Sequence, residues 1–302
     1  MKVLKFSLLV AGLVVTMNAS GVASDAGLAL LTNEYSARPA GMGGAAVSIL
    51  SDPNAIWYNP AAAVGLDTFT ASFGHTVFWE NIRFESGCFG IGLSPRFYLH
   101  GGIRMATIDD IEQRGEVPTT QPEALFGSHD ISGKLGLAYR MSDDVAVGAA
   151  IGWMFEEIES WRGSEFNVDV GVNVTPRIEG LTLGAAVTGL GGDMAITKEG
   201  TIGSREIPLP TTYRFGGSYT YRWLRGAADL VYLDDQAHAH LGVEGTVSKE
   251  LNLRAGYMSG YDTRNITAGA SFAYRNVRVD YAFLPYSDNL GTSHLFNVTF
   301  SL

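Results

Sequence analysis

Apolar and polar residues alternate with a period of two along most of this chain, and this pattern limits the fold more than any other feature. Between residues 211 and 222, Tyr213 and Phe215 share one apolar face, while Arg214 lies on the opposite, polar face. The same separation recurs in the segments 131–141, 166–174 and 277–283. Each segment is therefore predicted to be a β-strand with one apolar and one polar face.

The length of these segments favours a membrane barrel over a soluble β-sandwich, in which strands also alternate. Most segments run for about 9–12 residues, as in tilted membrane strands, whereas soluble strands usually have about 5–6. Aromatic residues also gather near strand ends, as in membrane-barrel girdles, at Phe78 and Trp79, Trp153 and Phe155, 219–223 and 281–286. We predict about 14 strands, starting near Thr68, Asn81, Arg96, Asp130, Val145, Glu165, Leu181, Thr211, Leu224, Ala237, Leu251, Asn265, Val277 and Thr292.

The connections between the predicted strands alternate between tight turns and longer loops. Ser142 to Asp144 and Arg275-Asn276 are tight, whereas 108–129 and 189–210 are long. Short periplasmic turns and longer outer loops are the rule for bacterial barrels. We therefore predict that the chain lies in the bacterial outer membrane with both termini in the periplasm.

Residues 1–24 have the features of a secretory signal peptide. Lys2 and Lys5 precede a short apolar run, and small residues follow from Ala19 to Ser24. The apolar run is shorter than the roughly 20 residues of a spanning helix, so a membrane anchor is the less favoured alternative. The predicted organisation is a signal peptide over 1–24, a hatch segment over 25–66 and an outer-membrane barrel over 67–302.

The segment from Ser36 to Ala63 is predicted to fill the barrel lumen. A barrel of 8 strands is filled by its own side chains, so one of about 14 strands needs an additional occupant. Glycines permit close backbone approach, and prolines prevent a long helix. The predicted hatch motif comprises Arg38, Pro39, Gly41, Met42, Gly43, Gly44, Asp52, Pro53, Asn54, Trp57, Asn59, Pro60 and Ala61. The predicted fold class is therefore all-β, a transmembrane antiparallel β-barrel of about 14 strands with an N-terminal hatch in its lumen.

Two stretches of the sequence resemble a known family. The run from Ala37 to Val47, ARPAGMGGAAV, followed by DPNAIWYNPA from Asp52 to Ala61, resembles the N-terminal signature of the PorV/PorQ family. The triplet Asn59-Pro-Ala is similar to one in the hatch of FadL-type transporters, and the stretch 281–294 resembles the final hairpin of the PorV/PorQ family. The resemblance implies a 14-stranded FadL-like barrel with an N-terminal hatch.

The last strand ends on the apolar face of the alternating pattern. Phe296, Val298, Phe300 and Leu302 alternate with polar residues, which resembles the terminal signal read by the barrel-insertion machinery. The predicted partners are that machinery and outer-membrane lipid, with secreted cargo proteins, secretion-system components or a hydrophobic ligand as further candidates. A formal net charge of −10 argues against nucleic acid, whose binding needs clustered Lys and Arg.

The sequence does not predict a catalytic, cofactor or metal site. Cys88 is the single cysteine, and no Gly-x-Ser-x-Gly elbow is present. His238 and His240 share a strand face, but zinc sites need three or four ligands, so a structural role is favoured. Charges inside the barrel should pair with one another and with the hatch. These are Lys134, Arg140, Asp169, Arg214, Arg222, Glu244, Arg254, Arg275, Arg278 and Asp280.

Three function classes remain open from the sequence. The favoured one, implied by the resemblance, is a non-enzymatic PorV/PorQ-type barrel that serves protein secretion or surface attachment with type IX secretion machinery. The alternative is a FadL-like transporter of hydrophobic small molecules, which predicts an apolar pocket beside the hatch and a lateral gap where a strand kinks. An outer-membrane enzyme would need Ser, His and an acid to converge at the outer rim, and is the least favoured.

Overall fold

The fold consists almost entirely of antiparallel β-strands around a short helical segment. The computed structural model describes residues 33–49, 51–66, 69–78, 82–115, 119–198, 204–233 and 235–302, so the predicted signal peptide lies outside the described residues. Helix α1 spans Ala37–Gly41, and two 3-10 helices span Pro53–Trp57 and Pro60–Ala63. Among the described residues, no helix is long and apolar enough to cross a membrane.

The strands follow the helices in one continuous series. They are β1 (Thr70–Val77), β2 (Arg83–Gly92), β3 (Phe97–Gln113), β4 (Ala124–Arg140), β5 (Val145–Ile158), β6 (Trp161–Val174), β7 (Leu181–Gly191), β8 (Met194–Lys198), β9 (Arg205–Ile207), β10 (Thr212–Tyr221), β11 (Leu224–Leu233), β12 (Gln236–Thr246), β13 (Leu251–Ser259), β14 (Ile266–Tyr274), β15 (Val277–Pro285) and β16 (Thr292–Ser301).

Most of these strands close into a single antiparallel barrel. Strands β1 to β7 pair in sequence, β7 pairs with β10, and the order then continues to β16. Strand β16 pairs with β1 from Ser301↔Thr70 to His294↔Val77, which closes the wall. Strands β8 and β9 form a separate hairpin attached to β6. Removing this pair from the 16-stranded sheet leaves the closed barrel of 14 strands, which confirms the predicted fold class.

The two faces of each barrel strand differ in the way that the alternation predicts. Leu135 and Phe215 are exposed on the outer surface, whereas Asp169 and Arg254 are buried on the opposite face. A closed barrel satisfies its backbone hydrogen bonds between strands and leaves no free edge. Its apolar outer surface then suits the hydrocarbon of a lipid bilayer.

The structure corrects the predicted strand limits near the long loops. Strand β3 continues to Gln113 and β4 begins at Ala124, so most of the predicted loop 108–129 is a hairpin. Strand β6 begins at Trp161, and the predicted loop 189–210 contains the hairpin β8–β9. These extensions lack the alternation of membrane strands, as in Ile108-Asp-Asp-Ile-Glu-Gln113, because no apolar face is required beyond the bilayer.

Two arginines and one aromatic residue also lie elsewhere than predicted. Arg222 and Arg275 are exposed in tight turns with φ of 55° and 54°, not in the lumen. Their guanidinium groups stack over the rings of the preceding residues Tyr221 and Tyr274 at 5.2 and 5.3 Å. Phe78 is buried and packs edge-on against Phe84 at 5.3 Å, so it does not belong to an outer aromatic girdle.

A charge placed in the middle of the outer apolar face should destabilise the barrel. Leu135 is 56% exposed at the centre of the apolar face of β4, so Leu135→Arg should cost about 2–4 kcal/mol. The control is Ile178→Arg in the tight turn between β6 and β7, where Ile178 is 50% exposed and water remains accessible. Urea unfolding of the two variants in lipid vesicles measures the difference, and equal losses would contradict the assigned outer surface.

Candidate functional site

Residues 33–49 and 51–66, called here the luminal segment, run through the inside of the barrel. This segment contacts all of the barrel strands, which is possible only inside a closed wall. The contacting wall residues, in strand order, are Ser72, Cys88, Arg104, Lys134, Gly148, Asn173, Gly184, Arg214, Asp229, Glu244, Gly256, Thr267, Arg278 and Asn297. All residues of the predicted hatch motif belong to the luminal segment.

The luminal segment runs from the long-loop end of the barrel to the tight-turn end. Asn33 accepts a hydrogen bond from Arg264, in the loop after β13, at 3.2 Å. At the other end, Leu66 belongs to a buried cluster with Tyr98, which follows a tight turn. The described chain therefore begins at the long-loop end, whereas Leu302 lies at the tight-turn end and bonds Phe69. The hatch boundaries and the periplasmic position of the N-terminus stay predictions, because residues 25–32 lie outside the described residues.

The two 3-10 helices of the luminal segment begin with the same sequence device. Asp52 precedes Pro53, and its Oδ1 accepts a hydrogen bond from the Asn54 N–H at 3.0 Å. Asn59 precedes Pro60 in the same way, and its Oδ1 accepts from the backbone N–H of the next residue but one at 3.0 Å. A capping side chain followed by proline is a favoured helix start, so these motif residues define the local backbone.

Inward-facing glycines let the backbone of the luminal segment touch the wall. A Cβ atom at Gly148 of β5 would overlap the backbone of Pro60 and Ala61. A Cβ atom at Gly256 of β13 would overlap the backbone of Gly43. Similar backbone contacts occur at Gly184 and Gly242. The glycines on the polar face of the strands therefore provide the space through which the segment passes.

Three arginines and three carboxylates form a closed ring of ion pairs between the luminal segment and the wall. In order around the ring they are Arg38, Glu244, Arg254, Asp280, Arg278 and Asp52. Nitrogen–oxygen distances around the ring lie between 2.7 and 3.5 Å. Arg38 and Asp52 belong to the segment, and the other four belong to β12, β13 and β15. The ring balances equal numbers of opposite charges, which buried ions require.

Wall side chains also accept hydrogen bonds from the main chain of the luminal segment. Asp229 Oδ2 accepts from the N–H groups of Ala46 and Val47 at 2.7 and 2.8 Å. Asn297 Oδ1 accepts from the Ala37 N–H at 2.6 Å. An irregular backbone away from water needs such partners. These polar wall residues therefore fix the path of the segment in addition to the ion pairs.

A small cavity lies between the luminal segment and the long-loop end, and we call it the chamber. Its volume is about 50 Å³. Its lining includes Tyr35, Trp57, Tyr58, Arg104, Lys134 and Arg214. Three of these side chains are cationic, so the chamber is not the apolar pocket that the FadL-like hypothesis predicts.

The wall shows no open lateral gap in the described strands. The pairing of β6 with β7 shifts register between Val168 and Val170. At this shift, Asp169 Oδ1 accepts a hydrogen bond from the Gly189 N–H at 2.7 Å and joins the two strands. A second shift between β3 and β4, at 108–111, lies beside the hairpin extension. The predicted gap therefore has no counterpart in this conformation.

The remaining candidate residues lie on the wall and in the loops. His238 stacks on Tyr261 with ring centroids 3.9 Å apart, and His240 Nε2 lies 2.9 Å from the Tyr261 hydroxyl. Among the described residues, no group of three metal-ligating side chains comes together. The insertion signal at the C-terminus stays a prediction. Its four residues are exposed or partly exposed on the outer face: Phe296, Val298, Phe300 and Leu302.

Comparison with solved structures identifies proteins of similar fold. The TodX monoaromatic hydrocarbon channel, as a deltaS2S3 mutant, has a TM-score of 0.66 and 14% identity, covering 88% of this chain and 97% of its own. The CymD monoaromatic hydrocarbon channel has a TM-score of 0.65 and 12% sequence identity, and the match covers 89% of this chain and 97% of CymD. A FadL homologue from Pseudomonas aeruginosa has a TM-score of 0.56 and 11% sequence identity, and the match covers 87% of this chain and 97% of the homologue. No protein-family profile and no curated protein matches the sequence.

These likenesses establish the fold of FadL-type outer-membrane channels. At 11–14% identity the likeness concerns the fold alone, and the predicted FadL-like barrel fold is confirmed at this level. The comparisons give no support to the finer PorV/PorQ assignment, which stays a prediction.

A side chain at an inward glycine should displace the luminal segment. Gly148→Val places its side chain against Pro60 and Ala61, and overpacking of this kind costs about 1–3 kcal/mol. The control is Gly133→Val on β4, where a Cβ atom meets nothing within 4 Å. We expect single-channel conductance in planar bilayers to rise for Gly148→Val alone. Equal conductance of the two variants would contradict the contact.

The ring of ion pairs should weaken in acid. Burial by itself would raise the pKa of Asp52, but Arg278, Arg38 and the Asn54 hydrogen bonds outweigh it and hold this pKa at about 2. Since the unfolded value is about 3.9, the stabilisation is complete above about pH 4 and is lost as the pH falls through 2. Thermal unfolding between pH 5 and 2 should show a steeper loss in wild type than in Asp52→Asn. Parallel curves would exclude this role of Asp52.

Proposed function

We propose that the protein is a non-enzymatic outer-membrane channel that admits small hydrophobic molecules when the luminal segment moves. The observation that carries the proposal is the combination of a FadL-type barrel with a segment held inside it by non-covalent contacts alone. Two of the structural neighbours are named as monoaromatic hydrocarbon channels, and the shared fold supports a related cargo here.

The chamber volume indicates that this conformation is a closed one. A dry apolar cavity that binds benzene measures about 150 Å³, whereas the chamber measures about 50 Å³ and is lined by charged groups. A hydrophobic molecule therefore needs a path that opens when the luminal segment is displaced. The ring of ion pairs and the hydrogen bonds of Asp229 would oppose this displacement and set its free-energy cost.

The lengths of the connections between strands support one orientation in the membrane. We place the tight turns and Leu302 in the periplasm, and the longer connections, including the hairpin extension of β3 and β4, outside the cell. With this orientation, the chamber lies in the extracellular half of the barrel, between the wall and residues 33–35 and 57–58 of the luminal segment.

A role in protein secretion or surface attachment, of the PorV/PorQ type, is the second candidate. It is favoured by the filled lumen together with two structures beyond the apolar belt, the extension of the β3–β4 hairpin and the hairpin β8–β9. Such surfaces suit a protein partner that never crosses the barrel. This candidate predicts that a secreted protein or secretion component co-purifies with the barrel from the native membrane in a near-equal amount. If none co-purifies, this candidate is refuted.

Locking the luminal segment should stop passage through the barrel. Ala40 of α1 and Ala282 of β15 lie in one buried cluster, so a disulfide between Ala40→Cys and Ala282→Cys would tether the two elements. We expect vesicles containing the oxidised variant to take up toluene at the rate of empty vesicles. The control is the same sample after reduction, which should recover the wild-type rate once mass spectrometry has verified the disulfide. Equal uptake by wild type and empty vesicles would refute the channel.

A further inference from the structure

The chamber is lined by three cationic side chains that have few direct acceptors. Arg104, Lys134 and Arg214 line it, together with the carboxylate of Glu34. Lys134 is paired with the carboxylate of Asp169, and Glu34 accepts a hydrogen bond from the Tyr58 hydroxyl. In the described parts of the chain, no carboxylate oxygen lies within 4.0 Å of a side-chain nitrogen of Arg104 or Arg214. Of the three cations, Lys134 is therefore the one with a direct ion-pair partner among the described residues.

Both unpaired guanidinium groups have buried nitrogen atoms without a hydrogen-bond partner among the described residues. These atoms are Nε of Arg104, and Nε and Nη1 of Arg214. Buried donors of charged groups are costly to leave unsatisfied. These nitrogens have less than 1 Å² of accessible surface and do not themselves face the chamber, so a ligand there meets the remaining nitrogens of each guanidinium.

Aromatic rings hold the two guanidinium groups in place around the chamber. The Cζ of Arg104 lies 4.6 Å from the ring centre of Trp57 and 4.9 Å from that of Tyr35. The Cζ of Arg214 lies 5.2 Å from the ring centre of Tyr58. Stacking on an aromatic face immobilises a guanidinium but satisfies none of its N–H donors. The orientation of each guanidinium, and of its donors, is consequently fixed.

The size of the chamber limits the ligand to a few heavy atoms. Its volume is about 50 Å³, whereas one water needs about 10–15 Å³ and a dry apolar cavity that binds benzene measures about 150 Å³. The planar fork of arginine matches the two oxygens of a carboxylate. An aromatic or long-chain molecule does not fit, whereas an anion of the size of acetate does.

We propose that the chamber is a binding site for a small carboxylate or similar oxyanion, held by Arg104 and Arg214 above the luminal segment. The site is separate from the proposed passage of hydrophobic molecules, because its lining is charged and its volume excludes them. Arg104 and Arg214 of the wall stack on Trp57 and Tyr58 of the luminal segment, so an anion that holds the two guanidinium groups in place also keeps them stacked on the segment. Bound anion therefore stabilises the closed position of the segment.

The first test is titration calorimetry of the intact, detergent-solubilised barrel with sodium acetate in sodium chloride buffer. We expect saturable binding at one site for acetate and none for acetamide, which has nearly the same shape without the charge. Wild-type protein alone answers this question. Absence of acetate binding, or equal binding of acetamide, would overturn the proposal, whether the chamber then holds water or chloride.

Variants test the assignment to the two arginines. Arg214→Gln and Arg104→Gln should each weaken acetate binding by about tenfold or more, because each removes a charge-assisted hydrogen bond. Arg214→Lys should weaken it less, since it keeps the charge and loses the fork. The control is Arg177→Gln in the tight turn after β6, where the side chain is 94% exposed and acetate affinity should not change. Unchanged affinity in both glutamine variants of the chamber would overturn the site.

The link to the luminal segment has its own readout. Saturating acetate should lower the rate of toluene uptake by wild-type vesicles and leave Arg214→Gln unaffected. If the protein is not a channel, toluene uptake is absent with or without acetate, while calorimetry still detects acetate binding. The channel proposal and the anion-site proposal can therefore be refuted independently. Acetate binding without any effect on uptake by an active channel would overturn this stabilising role.

Discussion

The structure depends on the need to satisfy polar groups inside a barrel that is too wide to fill with its own side chains. Strand pairing satisfies the backbone of the wall, but the inward faces carry charged side chains around an empty lumen. The luminal segment resolves both problems, since it supplies volume and brings Arg38 and Asp52 into a ring with four wall charges. Neither the wall nor the segment has a complete set of partners without the other.

Much of the wall could be predicted from the sequence because it follows a simple period. Strand faces such as that of Tyr213 and Phe215 alternate without interruption, and residues such as Asp143 and Asn276 mark the turns. The hairpin β8–β9 was missed because its strands have five and three residues, too few for a periodic pattern to stand out, although Met194 and Ile196 are buried. Arg222 and Arg275 were placed wrongly since, next to a turn, alternation no longer determines the direction of a side chain.

The interior was less predictable, since it depends on the register between distant strands. The polar faces indicated luminal charges such as Arg254 and Arg278, yet only the folded barrel brings Asp280 next to Arg254 and Asp52 next to Arg278. The glycines of the polar faces were a usable signal, because a residue without a side chain has no reason to repeat at inward positions unless another backbone passes there. The chamber had no sequence signal, because its lining comes from eight separate stretches of the chain.

The path of the luminal segment has a consequence for the order of assembly. The segment precedes β1 in the chain, and it bonds Ser72 of β1 and Asn297 of β16, the two strands that meet at the closing seam. Pushing it later into a finished wall would mean threading the chain through a space that side chains already narrow. The last strand therefore has to arrive while the segment is in place, and closure of the cylinder and burial of its contents form a single step. A membrane-insertion apparatus that holds the seam open until the final strand is delivered would suit such a protein.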